Sequence, residues 1–405
     1  MPTGRRHLVL LGAGHAHLAV LQALRERHPA DLAVTLVSPY PFQVYSGMVP
    51  GVIARRYPVE ACQIPLEPLA RAAHVRWLPG RAVAVDAAGR TVEVAAPGGA
   101  RQSLAWDLLS LDTGGVVERT WLDAHLPGAS THALAVRPIE GFVRLWPQVV
   151  ALAQARPISL AVIGAGAAGI ELVTAAAQRL ARDGVAGSRC TLITGGGEVA
   201  ASYPPGVQAR VRRGLERLGI TVLREACVGI EAGGVRLGNG ATLACDAPLL
   251  ALGTQAPAWL ADSGLALGAH GHVAVNACQQ STSHPAVFAA GDVADRTDQP
   301  HPRSGVYAVR AGPALAHNLL AAHDGRPLRE HHPPRHTLNL LSCGAGHAIA
   351  SHGRWSAAGA WAWWWKDRID RGFVARHTLA DPPNAGPSHS TGPSPSPSQL
   401  PGPKP

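Results

Sequence analysis

A strand, a glycine-rich turn and a helix follow one another twice in this chain, and no other feature limits its fold as sharply. The apolar run HLVLL enters Gly12-Ala13-Gly14-His15-Ala16-His17, a helix follows, and a second strand, LAVTLVS, ends at Ser38. The pattern returns where LAVIG enters Gly164-Ala165-Gly166-Ala167-Ala168-Gly169, continues as IELVTAAAQRLARD, and closes with the strand CTLIT near Thr194. Such a turn leaves the first N–H groups of the helix unpaired at the positive end of its dipole, and glycine lets a pyrophosphate approach them. A lone G-x-G-x-x-G says little in a chain with 45 glycines. Two of them, each between a strand and a helix, predict two nucleotide sites on βαβ units.

The two halves share a longer plan. Alternating segments with turn residues, Arg81 to Val94 and Gly229 to Leu252, read as β-meanders, and each leads into a strand with a small-residue turn, DLLSLDTGG and PLLALGT. A third buried-type strand, AVFAAGDVAD, stops at Gly291-Asp292, and a helix is predicted from Ser304 to Gly325. Residues 326–377 hold two strand-like runs and the segment WAWWWKDRIDRGF. From Asp381 the chain is Pro, Ser and Gly, predicting a disordered tail. The expected fold class is therefore α/β, with two Rossmann-like dinucleotide-binding domains, a small C-terminal segment and a tail.

Composition narrows what such a chain can do. Lys plus Arg is 36 against 27 Asp plus Glu, for a net charge of +9. Lysine stands only at Lys366 and Lys404, and the arginines are scattered, so nucleic acid is not an expected partner. The six cysteines form no short-spaced pair, which fits a reducing compartment. Arg5 and Arg6 before an apolar run imitate a signal peptide, but glycines break the run and it continues as an amphipathic helix. No stretch reaches the roughly 18 to 20 apolar residues that span a bilayer. A cytoplasmic chain is expected, with contact on the inner face of a membrane left open.

Several residues stand out as candidates, each with a plain structural alternative. His17 replaces the third glycine of the first turn, so its helix should sit farther from the strand. His15 and His17 are two apart on a helix and do not face each other, which favours packing or pyrophosphate contact over a shared metal. Ser38 and Thr194 stand where an acid usually holds a nucleotide ribose, so charge does not separate NAD from NADP. Asp292 either accepts hydrogen bonds from a ligand's hydroxyls or caps a turn. Glu171, in the first turn of the second helix, either serves the helix dipole or orients a nicotinamide and relays a proton.

Taken in order, GAGHAH, YSGMVPG, DLLSLDTGG, GAGAAGIE, AAGDVA, GVYAVRAGP and KDRIDRGF make the chain resemble an FAD-dependent pyridine nucleotide-disulfide oxidoreductase over about residues 6 to 377. More narrowly it resembles the type II NADH dehydrogenase-like branch associated with selenide, water dikinase. The resemblance implies FAD on Gly12, Gly14, His15 and His17, with Ser38 near the adenosine ribose, Val83 near the adenine, Thr113 and Gly114 beside the dinucleotide, and Gly291 and Asp292 on the ribityl chain. The flavin ring would meet Tyr45 to Gly51 and the helix start at Gly305 and Val306. NAD(P)H would lie on Gly164, Gly166 and Gly169, with Glu171 and Gly253 near the nicotinamide.

The implied domains are residues 1–120 and 255–325 for FAD, 121–254 for NAD(P), a C-terminal interface segment 326–380, and the tail 381–405. The implied activity is hydride transfer from NAD(P)H to FAD and onward to a diffusible acceptor, a quinone before others. A flavin redox sensor docking on selenide, water dikinase in trans, and a sulfide:quinone oxidoreductase-like enzyme, are the alternatives. A homodimer is left open, and the Trp-rich segment either packs over the flavin or a second subunit, or lies on a membrane.

Overall fold

The structure, a computed structural model, describes residues 5–344 and 346–379. The tail expected from residue 381 lies outside the described residues. In the first unit, β1 (Arg6–Leu11) runs through the glycine turn into α1 (His15–Glu26) and returns as β2 (Leu32–Ser38). A short helix α2 (Val49–Ile53), a strand β3 (Arg76–Pro79) and, after a three-stranded meander, β4 (Leu108–Leu111) follow. The second unit comprises β5 (Leu134–Ala135), α3 (Ile139–Ala155), β6 (Ser159–Ile163), α4 (Ala167–Arg182), β7 (Arg189–Ile193), α5 (Pro205–Arg217), β8 (Thr221–Leu223) and β9 (Ala247–Leu250). The chain then rejoins the first sheet through β10 (Val287–Ala289) and α6 (Gly305–Asp324), and ends in β11 (Asn339–Gly344), β12 (His347–His352), β13 (Trp355–Gly359) and α7 (Ala360–His377).

Both large sheets are parallel and ordered alike, β10-β4-β1-β2-β3 and β5-β9-β6-β7-β8. Their central strands are covered on both faces, which is why they read as continuous apolar runs. Successive side chains of β1 alternate between two cores: Leu8 and Leu10 join one cluster, Val9 and Leu11 another. In β6, Leu160 and Val162 enter the first of these clusters while Ala161 and Ile163 enter a third. One core thus runs beneath both sheets.

In each sheet the glycine turn leaves the central strand where the order reverses, between β4 and β2 or between β9 and β7. Ligands of open α/β sheets bind at that crevice. The predicted helix from Ser304 begins at Gly305 and stops at Gly325 in left-handed conformation (φ 68°). The C-terminal segment departs from expectation in having three strands rather than two. The third, WSAAG, is weak in strand-forming side chains and is held by its register with β12, Ser351 opposite Ser356.

Candidate active site

The first glycine turn is shaped by what crosses behind it. Gly12 has φ +84°, and a Cβ there would stand 2.5 Å from the Asp112 carbonyl oxygen. At Gly14 a Cβ would overlap the Asp112 carboxyl group itself. Asp112 follows β4, and its Oδ2 accepts the backbone N–H groups of Ala16 (2.8 Å) and His17 (2.9 Å), capping α1 from a neighbouring strand. Beside this helix end lies a cleft of about 700 Å³ lined by Gly12, Gly14, Ser38, Val83, Thr113 and Asp292, and also by His15, Gly114 and Gly305.

His15 and His17 part ways. His17 is fully buried, its Nδ1 2.6 Å from the Gly12 carbonyl and its Nε2 2.8 Å from Ser110 Oγ, so its ring serves the core and not the cleft. In the second unit the glycine at this position abuts the corresponding carbonyl directly, and the imidazole replaces that contact with a hydrogen bond. The His15 ring faces Tyr45 at 5.5 Å and Phe373 at 5.9 Å, and its Nε2 is buried without a partner. Burial, Arg137 and His377 lower its pKa to about 4, so it is neutral.

Asp292 sits 3.5 Å from Arg137, a cleft-lining residue that the motifs did not single out. Gly291 has φ +68° and lies against Asp112, where a Cβ would be 2.6 Å from Oδ1. Ser38 ends β2, its hydroxyl 3.3 Å from the Tyr40 carbonyl. Val306 stands in the first turn of α6 behind Gly305 and does not line the cleft. A cleft of this size at a helix N-terminus, with an orphaned imidazole nitrogen in its wall, fits a dinucleotide such as FAD.

The second turn is more open. Gly164 has φ +116° and lies against the Ala251 carbonyl, Gly169 would overlap the Gly164 carbonyl with any Cβ, and Gly166 has nothing within 4 Å. Ala251 occupies the place that Asp112 holds in the first unit, and among the described residues no carboxylate reaches the start of α4. Its N–H groups are free for a pyrophosphate. Thr194 ends the β7 region with its hydroxyl on the Gly197 carbonyl (2.7 Å), and Gly253 is exposed after β9.

Glu171 is drawn toward the C-terminal segment. Its Oε1 accepts the Ser342 N–H at 2.7 Å, and Lys366 of α7 lies near enough to interact with its charge. Burial raises the Glu171 pKa, against the pull of Lys366 and the Ser342 N–H. The Lys366 ammonium donates to the Gly47 carbonyl (2.7 Å) and to Asp370 (2.8 Å), and both side chains of that pair are nearly buried, 11% and 7% exposed. Tyr45 stacks on Phe373 at 4.6 Å, and Tyr57 donates to Asp367 at 2.6 Å. One face of α7 therefore clamps residues 45–57 against α4.

The opposite face of α7 is bare. Trp364 is 60% exposed, and Trp355, Trp361 and Trp365 are exposed beside it, with Arg368 over the Trp364 ring. One face of α7 is therefore packed inward and the other exposed. No helix among the described residues is long and apolar enough to cross a membrane.

Asp112, Arg137, Lys366 and Asp370 were not singled out as site residues in the sequence. Lys366 carried a signal, being one of only 2 lysines among 36 basic residues. Asp112 had none beyond preceding Thr113-Gly114, since its role depends on a strand crossing behind α1.

The family model for pyridine nucleotide-disulphide oxidoreductases matches residues 6–318. The chain is 32% identical over 318 residues to the NADH dehydrogenase-like protein MT1860 of Mycobacterium tuberculosis, covering 73% of this chain and 74% of that one. It is 30% identical over 236 residues to demethylphylloquinone reductase NdbB of Synechocystis, covering 56% of each. Among solved structures, sulfide:quinone oxidoreductase of Aquifex aeolicus (TM-score 0.74, 20% identity, 92% of each chain) shares the fold. So does NDH2 of Plasmodium falciparum in complex with NADH (TM-score 0.78, 12% identity, 91% of this chain and 97% of that one). The chain belongs to the pyridine nucleotide-disulphide oxidoreductase family, and is an oxidoreductase that works with FAD and NAD(P)H.

Proposed function

We propose that the chain takes hydride from NAD(P)H held at Gly164, Gly166 and Gly169, with FAD in the cleft at Gly12 and Gly14, and delivers the electrons to a quinone. FAD supplies the hydride acceptor, and the protein's part is binding, orientation and exclusion of water. The single observation that carries this reading is the Glu171–Lys366–Gly47 connection. It ties Glu171, which stands in the second turn of the nicotinamide-side helix and not in its first, to the loop on the flavin side, so that the two cradles are joined by hydrogen bonds and charge. Glu171, with its proton affinity raised, is the group in this connection suited to orienting a carboxamide or moving a proton. The quinone finds support in the demethylphylloquinone reductase relative.

The sulfide:quinone alternative is disfavoured by the thiols. All six cysteines are free, and burial pushes Cys62 up to about 12 and Cys343 up to about 11, far from thiolate formation. The test of the main reading is anaerobic mixing of the yellow protein with NADH or NADPH. The flavin band bleaches, and a quinone added afterwards restores it. No bleaching with either nucleotide overturns the reading.

The exposed Trp355, Trp361, Trp364 and Trp365 with Arg368 support contact with an anionic membrane surface, where a lipid-soluble quinone resides. The protein is expected to float with anionic liposomes at low salt, and a Trp361→Ser, Trp364→Ser, Trp365→Ser variant is expected to stay at the bottom of the gradient. Failure of the unaltered chain to float removes the membrane contact.

A further inference from the structure

Asp112 is 2% exposed and pairs with no cation among the described residues; its carboxylate is spent on the Ala16 and His17 N–H groups at the start of α1. The fold does not need that carboxylate. At the matching place in the second unit, Ala251 makes the same main-chain bond to its central strand (N–H to the Ile163 carbonyl, 2.9 Å) that Asp112 makes to Leu11 (2.9 Å), and lies against Gly164 as Asp112 lies against Gly12. The acid is an addition to a shared plan, and Gly14 and Gly291 leave it room. Yet the cleft it lines is the one suited to a pyrophosphate.

We propose that Asp112 makes dinucleotide binding in this cleft proton-linked: carboxylate and pyrophosphate are two anions at one helix N-terminus, and the cofactor binds with uptake of a proton by Asp112. The inference rests on placing FAD at Gly12 and Gly14. Among the described residues no cation acts directly on the Asp112 carboxylate. Asp292, from the segment after β10, adds a negative charge that Arg137 offsets in part. His17, whose N–H the carboxylate accepts, and His15 are both held neutral, burial lowering each pKa to about 4. Burial also pushes Asp112 itself up to about 7, against the two N–H groups, and Asp292 pushes the same way. A second anion raises its proton affinity further, so uptake falls in the range just above neutrality.

The test is FAD release from the full-length flavoprotein on dilution, followed by the fluorescence of free flavin with no nicotinamide nucleotide present. Its outcome is therefore independent of whether NAD(P)H reduces the flavin. From about pH 7 to 9 the dissociation constant is expected to rise by up to about tenfold per pH unit. Asp112→Asn keeps an oxygen acceptor for the helix end and is expected to hold FAD with a flat profile. In weakly buffered solution at pH 8, a pH indicator should report about one proton released per FAD lost from the unaltered chain. A flat profile in the unaltered chain, no proton released, or an unchanged slope in Asp112→Asn overturns the proposal.

Discussion

Gly169→Ala should leave the protein yellow while NAD(P)H no longer bleaches it efficiently. A Cβ at this position would overlap the Gly164 carbonyl oxygen, which belongs to the backbone of the same turn and has no side chain to swing aside. The only relief is for α4 to move away from β6, which carries the cradle's N–H groups off the pyrophosphate. Overpacking of this kind costs about 1–3 kcal/mol. Placed on nucleotide binding, that is roughly a 5- to 150-fold rise in the NAD(P)H concentration that half-reduces the flavin. FAD content should be unchanged, because Gly169 stands apart from the cleft at Gly12. A rapid-mixing titration of flavin bleaching checks both statements, and unaltered nucleotide dependence would falsify the packing account.

A larger effect on stability is expected from Lys366→Met. The substitution keeps most of the side chain's volume and removes the cation that faces Glu171 and Asp370. Burial alone would lower the Lys366 pKa, but Glu171 and Asp370 outweigh it and hold the pKa above its ordinary value. Breaking a buried charge pair by deleting one partner typically costs about 3–5 kcal/mol, or roughly 10 °C in melting temperature. The sign of the pH dependence follows from the acids left behind. Burial already raises both carboxyl pKa values, and losing the ammonium raises them further. A group that holds its proton more tightly when folded favours the folded state while protonated and loses that contribution as pH rises. The deficit should therefore be largest at neutral pH and shrink toward about pH 4. Thermal melts of both proteins at several pH values measure it. The Gly47 carbonyl also loses its donor, so flavin retention should weaken in the same variant.

Much of the fold is legible in the sequence. The two glycine turns, the meanders, Gly291-Asp292 and the helix from Gly305 are local features, each written in a few neighbouring residues. Placement of single side chains was legible only in part. Gly12, Gly14, Ser38, Val83, Thr113, Gly114, Asp292 and Gly305 do gather on one cleft. His17, chosen for its place in the same motif, turns its ring into the core because Gly12 and Ser110 offer it both a carbonyl and a hydroxyl. Its sequence position fixes the helix turn it occupies, and only the packed neighbours fix what the imidazole meets.

The amino-acid order by itself determined that this chain builds two parallel sheets with a glycine turn at the centre of each. Strand periodicity, turn glycines and helix starts act over a few residues and need no distant partner. Only the tertiary structure decided that an acid after β4 caps α1 while an alanine after β9 leaves α4 open. It alone decided that a lysine some 195 positions beyond Glu171 faces it beside the loop at Gly47. Those contacts depend on how strands and helices far apart in the chain are brought together, and burial sets their strength by excluding the water that would otherwise screen them.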